Sequence, residues 1–132
     1  METRPEHHFS ASVDQGILVI TLSGEVKPAQ AGRLHDEVVS AIESPDVSAV
    51  MVDVRALKGR LGYAEAYLRI ADHLPGTASP RVAIVDLPEN AAYQRFLETA
   101  AVNAGRSLKC FTDPDAAKAW LKGKPLDAGL AQ

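Results

Sequence analysis

Two cations, Lys58 and Arg60, flank Gly59 in the run Leu57-Lys58-Gly59-Arg60-Leu61-Gly62-Tyr63, which joins the apolar stretch Val50-Met51-Val52-Asp53-Val54 to a segment of helical periodicity starting at Tyr63. Amides at a helix start carry free N–H groups, and the helix dipole favours negative charge there. Cations beside such amides suit a phosphate, a carboxylate or an acidic side chain of a partner. The spacing is not Gly-x-x-x-x-Gly-Lys-Ser/Thr, so a nucleoside triphosphate is not implied. A second reading is a solvated loop in which Gly59 and Gly62 only let the chain turn.

Asp53 closes one apolar strand and Asp86 the next, Val82 to Val85, which puts two carboxylates near the carboxyl edge of a sheet. Open α/β sheets bind ligands at that edge, and the pair could form a polar rim. Alternatively each carboxylate caps its loop or pairs with Arg55 or Arg81. Acid–base chemistry would require a perturbed pKa in one of them. His7 and His8 are adjacent on a strand and point to opposite faces, while His35 and His73 fall on separate helices. No His or Cys pair has zinc-site spacing, and no cofactor is implied. Cys110 has no partner in the sequence that would make it a nucleophile, and it reads as a small apolar residue. Tyr63, Tyr67, Tyr93 and Phe96 recur at helical spacing on inner faces, where they serve as core or line a hydrophobic site.

The elements that must position these residues alternate. Phe9, Ala11 and Val13 alternate with polar residues before the turn Asp14-Gln15-Gly16, and Ile17 to Leu22 answers them, which predicts an antiparallel hairpin. A helix opens at Lys27-Pro28, repeats Ala31, Leu34, Val38, Ala41 and Ile42, and stops at Ser44-Pro45. Then follow strand Ala49 to Val54, helix Tyr63 to Leu74, strand Val82 to Val85, helix Asn90 to Ala104, strand Leu108 to Phe111 and helix Pro114 to Leu121. The second helix presents Tyr63, Ala66, Tyr67, Ile70 and Leu74 to a sheet, and the third ends at a left-handed Gly105 cap. Asp113-Pro114 is an N-cap followed by a first-turn proline. Strands of Val, Ile and Ala belong in the middle of a parallel sheet joined by right-handed crossovers. The alternation in Leu108-Lys109-Cys110-Phe111 suits an edge strand guarded by its lysine.

The 132 residues form one domain, with an ordered core at about 7 to 123 and loose termini. A chain of this length buries about two-thirds of its unfolded surface without metal or disulfide support. Fourteen Lys and Arg against seventeen Asp and Glu give a net charge of −3, which argues against nucleic acid as a partner. The single cysteine and the lack of a charged segment leading into an apolar one at the start fit a reducing cytoplasm. No apolar run reaches the roughly 20 residues of a membrane span.

The order of elements and the segment Val50 to Leu57 resemble the STAS, or anti-sigma-factor antagonist, superfamily, and in particular its divergent SpoIIAA-like branch, over roughly residues 8 to 122. Also similar to that branch are Val82-Ala83-Ile84-Val85, Tyr93-Gln94-Arg95-Phe96-Leu97-Glu98, and Cys110-Phe111-Thr112-Asp113 followed by Ala119-Trp120-Leu121. The resemblance implies a SpoIIAA-like right-handed βα superhelix of α/β class. Its sheet would have about five strands, mostly parallel with one N-terminal antiparallel strand, and about four helices. It also implies a non-enzymatic module that binds a partner protein. Members commonly carry a phosphorylatable serine in the loop after the strand. No Ser, Thr or Asp lies between Leu57 and Gly62 here, so that switch is not carried over.

The leading expectation is thus a regulatory or interaction module whose docking surface comprises Lys58, Gly59, Arg60, Gly62, Tyr63 and Tyr67, with Asp53 and Asp86 near it. The alternative is a carrier for a small hydrophobic or anionic ligand, a lipid or other amphipathic anion, beside the same loop. Divergent members of the branch are similar in topology to CRAL-TRIO lipid-binding domains. Uncovered sheet edges also leave room for a homodimer.

Overall fold

The computed structural model describes residues 7–42, 48–72 and 80–123, with the side chains of 70–72 outside the description. The helix stop at Ser44-Pro45, His73, Leu74 and both expected loose termini therefore lie outside the described residues. The elements run β1 (His7–Asp14), β2 (Ile17–Glu25), α1 (Pro28–Ile42), β3 (Ala49–Lys58), α2 (Tyr63–Asp72), β4 (Arg81–Val85), a single 3-10 turn (Pro88–Asn90), α3 (Ala91–Asn103), β5 (Leu108–Phe111) and α4 (Pro114–Leu121).

One five-stranded sheet has the order β1-β2-β3-β4-β5, with β1 antiparallel to β2 and every later pair parallel. The β1–β2 hairpin turns on two residues of positive φ, Gln15 at 56° and Gly16 at 80°, the mirror-image turn that matches strand twist. Each later crossover steps one strand further in the same direction. The strand order therefore never reverses, and the sheet has no switch-point crevice at its carboxyl edge of the kind that holds ligands in doubly wound folds.

Strand alternation divides the core. On one face Ile20, Leu22, Val50, Val52 and Val54 meet Ala31 and Leu34 of α1. On the other, Ile17, Met51, Ala83, Val85 and Phe111 meet Ala117 and Leu121 of α4. The third helix covers β5 on the α1 side through Ala100 and Ala101, which pack with Leu108. Three crossover helices on one face, with the chain always stepping the same way, give three crossovers of one hand, which for parallel strands is almost always the right hand. Arg69 ties α2 to α1 through Asp36 at 2.6 Å. Its guanidinium lies against Gly32, where a methyl group would collide with it. The last helix has the expected cap, with Asp113 accepting from the Asp115 amide at 3.2 Å and Pro114 in the first turn.

Two expectations are corrected. The second and third strands are longer than Ile17–Leu22 and Ala49–Val54, because β2 passes a bulge between Thr21 and Ser23 and pairs onward to Glu25 opposite Lys58. Lys58 is therefore a strand residue and not part of a loop. The second helix does not turn its aromatic stripe to the sheet: Ala66 is buried, but Tyr63 and Tyr67 stay half exposed. The first strand forms the expected hairpin with its faces open: Val13 is 74 % exposed, and all but its first residue are exposed.

Candidate functional site

The segment from Leu57 to Tyr63 folds over the carboxyl ends of β3 and β4, and Arg60 holds it there. One terminal nitrogen of Arg60 donates to the carbonyls of Leu57 and Gly59, at 2.7 and 2.8 Å. The other donates to the Val54 carbonyl and to Asp86 Oδ1, both at 3.0 Å. Two terminal nitrogens carry four N–H groups, and these four acceptors match them one for one. The guanidinium is thus turned inward. It caps three carbonyls near the end of β3, and it neutralises a carboxylate that is 2 % exposed.

Asp86 is the counterpart of this clamp. Its Oδ1 also accepts from the Leu87 amide at 2.7 Å and from Asn90 Nδ2 at 2.9 Å. Gln94, itself buried, donates to the Leu87 carbonyl and continues the network into α3. Tyr93 donates its hydroxyl to the Leu61 carbonyl at 2.8 Å, and burial pushes that phenol up to about 12. The loop after β3 is therefore held by Asp86, just past the end of β4, and by Tyr93 of α3.

Gly59 and Gly62 have different standing. Gly59 has φ of 99°, and a methyl group there would press into the backbone carbonyl of Val26. Gly62 has no positive φ and open space around its missing Cβ, and its carbonyl starts α2 by accepting from the Ala66 amide at 2.9 Å.

The two aspartates do not converge. Asp86 looks into the α1 side of the sheet with Val82 and Ile84, while Asp53 alternates with Val52 and Val54 and falls on the α4 side. Asp53 pairs with Arg55 at 2.8 Å, as one of the two structural readings expected. The hydrogen bond from Arg55 holds its carboxyl below the ordinary aspartate range, against the opposing effect of burial. The stability this pair adds is present above that range and fades as pH falls through the lowered value. Arg81 is not the partner of Asp86; it stacks on Trp120, 4.2 Å from the ring centroid.

The exposed side of α2 is apolar. Tyr63, Tyr67 and Leu68 are 52 %, 47 % and 64 % exposed. Tyr63 is braced edge-on by Tyr93 and Phe96, with ring centroids 5.3 and 4.9 Å away, so its orientation is set although its face is open. Lys58 is exposed one loop ahead of this helix. The periodicity of the sequence shows Tyr63 and Tyr67 but hides Leu68, which sits off the apolar stripe. Asn90, Gln94 and the Tyr93 hydroxyl were also missed, because nothing local marks their partners.

Beneath α1 lies an apolar cavity of about 220 Å³ between the sheet and the first three helices. Among the described residues no three His, Cys, Asp or Glu side chains gather as a metal ion would require. Cys110 is pushed up to about 12, chiefly by burial and then by Glu98 and Asp86, and its Sγ–H donates to the Gln94 carbonyl. It is expected to stay unmodified by a maleimide at pH 8 in the folded chain and to react at once in urea. Fast labelling of the native protein would contradict this placement.

No protein-family model matches the chain, and no curated protein matches it. Solved structures do. An anti-sigma factor antagonist from Mycobacterium paratuberculosis has a TM-score of 0.61 at 15 % identity, over 92 % of this chain and 99 % of that one. An uncharacterised protein with a SpoIIAA-like fold from Shewanella loihica has a TM-score of 0.54 at 20 % identity, over 92 % and 98 %. The sheet order, the antiparallel first strand and the four helices are those of the SpoIIAA-like fold.

Proposed function

We propose that this SpoIIAA-like chain is a non-enzymatic interaction module that docks a partner protein on the outer side of α2, with Lys58 at its margin. The observation behind this reading is the open apolar face of Tyr63, Tyr67 and Leu68 on a helix whose Ala66 is buried. A braced Tyr63 with Tyr67 and an exposed leucine, at the end of a loop fixed by Arg60, has the composition of an interface centre. The likeness in fold to an anti-sigma factor antagonist supports a regulatory setting. Two further features favour binding over catalysis: the partly buried Cys110, whose thiol is pushed up to about 12, and the commitment of Arg60 and Asp86 to each other. No Ser, Thr or Tyr occurs from Leu57 to Gly62, so a phosphate switch in this loop is not part of the proposal.

The test is a paired capture from the source cell with wild type and the double variant Tyr67→Ala/Leu68→Ala. A specific partner should be retained by wild type and weakened by at least about tenfold in the variant, because a central aromatic contact carries much of an interface. The thermal midpoint should move little, since Tyr67 is half exposed and Leu68 mostly so. A partner held equally by both proteins would place the interface elsewhere, and no partner at all would remove the reading.

A further inference from the structure

We infer that β1 is the seam of a homodimer, in which it pairs antiparallel with β1 of a second copy about a twofold axis at Ala11. The first strand is an edge: it has β2 on one side and, among the described residues, no strand on the other. Such an edge presents a row of unpaired N–H and C=O groups, and proteins that stay single blunt it with lysine, proline, a bulge or shortness. The opposite edge, β5, is four residues long and carries the exposed Lys109. By contrast β1 runs in unbroken register for eight residues, His7–Asp14, and contains no Lys, Arg or Pro.

Its side chains are equally unguarded. Phe9, Ala11 and Val13 stand directly opposite Leu22, Ile20 and Leu18 of β2, so they share the face on which the core beneath α1 is built. Leu22 and Ile20 are buried there, but Phe9 is 36 % and Val13 74 % exposed. The apolar layer of the sheet thus continues one strand beyond its cover.

The pattern of the strand selects a second copy as the cover. His8-Phe9-Ser10-Ala11-Ser12-Val13-Asp14 reads alike from either end: a polar residue, an apolar one, Ser, Ala, Ser, an apolar one, a polar one. A twofold contact needs such self-complementarity, since residue i meets residue j and j meets i. Paired about Ala11, Phe9 faces the partner's Val13, Ser10 faces the partner's Ser12, and the His8 imidazole faces the partner's Asp14, a donor opposite an acceptor. Asp14 already accepts from Lys118 at 3.2 Å, and a carboxylate has capacity for both. The backbone agrees with this register. Asp14 and Ile17 close the two-residue turn and exchange bonds with each other, so the N–H and C=O groups of Val13, Ala11 and Phe9, at odd steps from Asp14, point away from β2. Those residues are the ones set opposite one another, and they supply about six ladder hydrogen bonds across the axis. Sliding the register by two residues sets Val13 against His7 or Phe9 against Gln15 and removes the apolar match. With β5 guarded, each chain has one edge to offer, and the assembly closes at two.

Sedimentation velocity of the purified full chain from micromolar to millimolar concentration tests the seam. A concentration-dependent dimer is expected. Val13→Lys sets a charge against the partner's Phe9 and should weaken the dimer by at least about tenfold, while the thermal midpoint at high dilution moves little because Val13 is mostly in solvent. Tyr67→Ala/Leu68→Ala, which removes the docking face on α2, should leave the dimer intact. Mild oxidation reads the register: Ala11→Cys should give a disulfide-linked dimer, whereas the two copies of residue 13 lie four steps, about 13 Å, apart and Val13→Cys should not. These cysteine variants decide the matter if the lysine variant does not fold. A chain that stays monomeric throughout overturns the dimer. A dimer unaffected by Val13→Lys, or abolished by Tyr67→Ala/Leu68→Ala, overturns the seam, and linkage through Val13→Cys at least as readily as through Ala11→Cys overturns the register.

Discussion

Gly59→Ala is expected to lower stability by about 3 kcal/mol and the thermal midpoint by roughly 10 °C. Two costs add at this position. A φ of 99° lies well outside what an L side chain adopts without strain, which alone accounts for about 1–3 kcal/mol. The new methyl also presses on the Val26 carbonyl, which is backbone and cannot swing aside. The Val26 amide is in turn bonded to the Lys58 carbonyl at 2.9 Å, so any retreat of Val26 loosens the last rung between β2 and β3. Gly62→Ala is the matched control: with no positive φ and open space at Cβ, it should be neutral or gain a few tenths of a kcal/mol from a stiffer unfolded chain. Urea unfolding of the two variants side by side measures the contrast. Equal costs, or a Gly59→Ala cost below about 1 kcal/mol, would show that the turn is not held as described.

Arg60→Met should be at least as damaging, at about 3–5 kcal/mol, because it leaves a buried carboxylate without its cation. Asp86 would keep the Leu87 amide and the Asn90 side chain but lose the charge that balances it. The carbonyls of Val54, Leu57 and Gly59 would each lose a donor. Adding Asp86→Asn to this variant should recover about 1–2 kcal/mol, since a neutral amide oxygen can accept from the same two donors without being stranded as a charge. A full double-mutant cycle in urea reads the coupling directly. Strictly additive effects would mean that the 3.0 Å contact between Arg60 and Asp86 contributes nothing of its own.

The sequence reading succeeded where a local signal was enough and failed where the partner was distant. Hairpin, helix order, the Asp113-Pro114 cap and the Gly105 cap each depend on neighbours a few residues apart, and each is in place. The extension of β3 to Lys58 was hidden because Arg55-Ala56-Leu57-Lys58 has no strand-like composition. Its pairing depends on a bulge in β2, some thirty residues earlier. The charge of Arg60 is plain in the sequence, but its destination is not. Sequence reading offered it to an external anion, whereas the fold supplies an internal one at Asp86, 26 residues on. The aromatic stripe of α2 illustrates the limit of periodicity. Spacing says which residues share a side, but α2 packs beside α3, and so Tyr63 leans on Tyr93 and Phe96 and stays half open. Nor could the cavity be read from α1, whose stripe of Ala31, Leu34, Val38 and Ile42 would look the same against a filled core.

The cavity beneath α1 bears on the volume of the molecule. Unfolding eliminates internal voids, so hydrostatic pressure works against a fold that leaves about 220 Å³ beneath one helix. The two layers differ in this respect, since α4 and its sheet face form one contiguous packed cluster while the α1 side encloses the space. Compression therefore acts first on α1 and leaves the α4 layer largely unmoved.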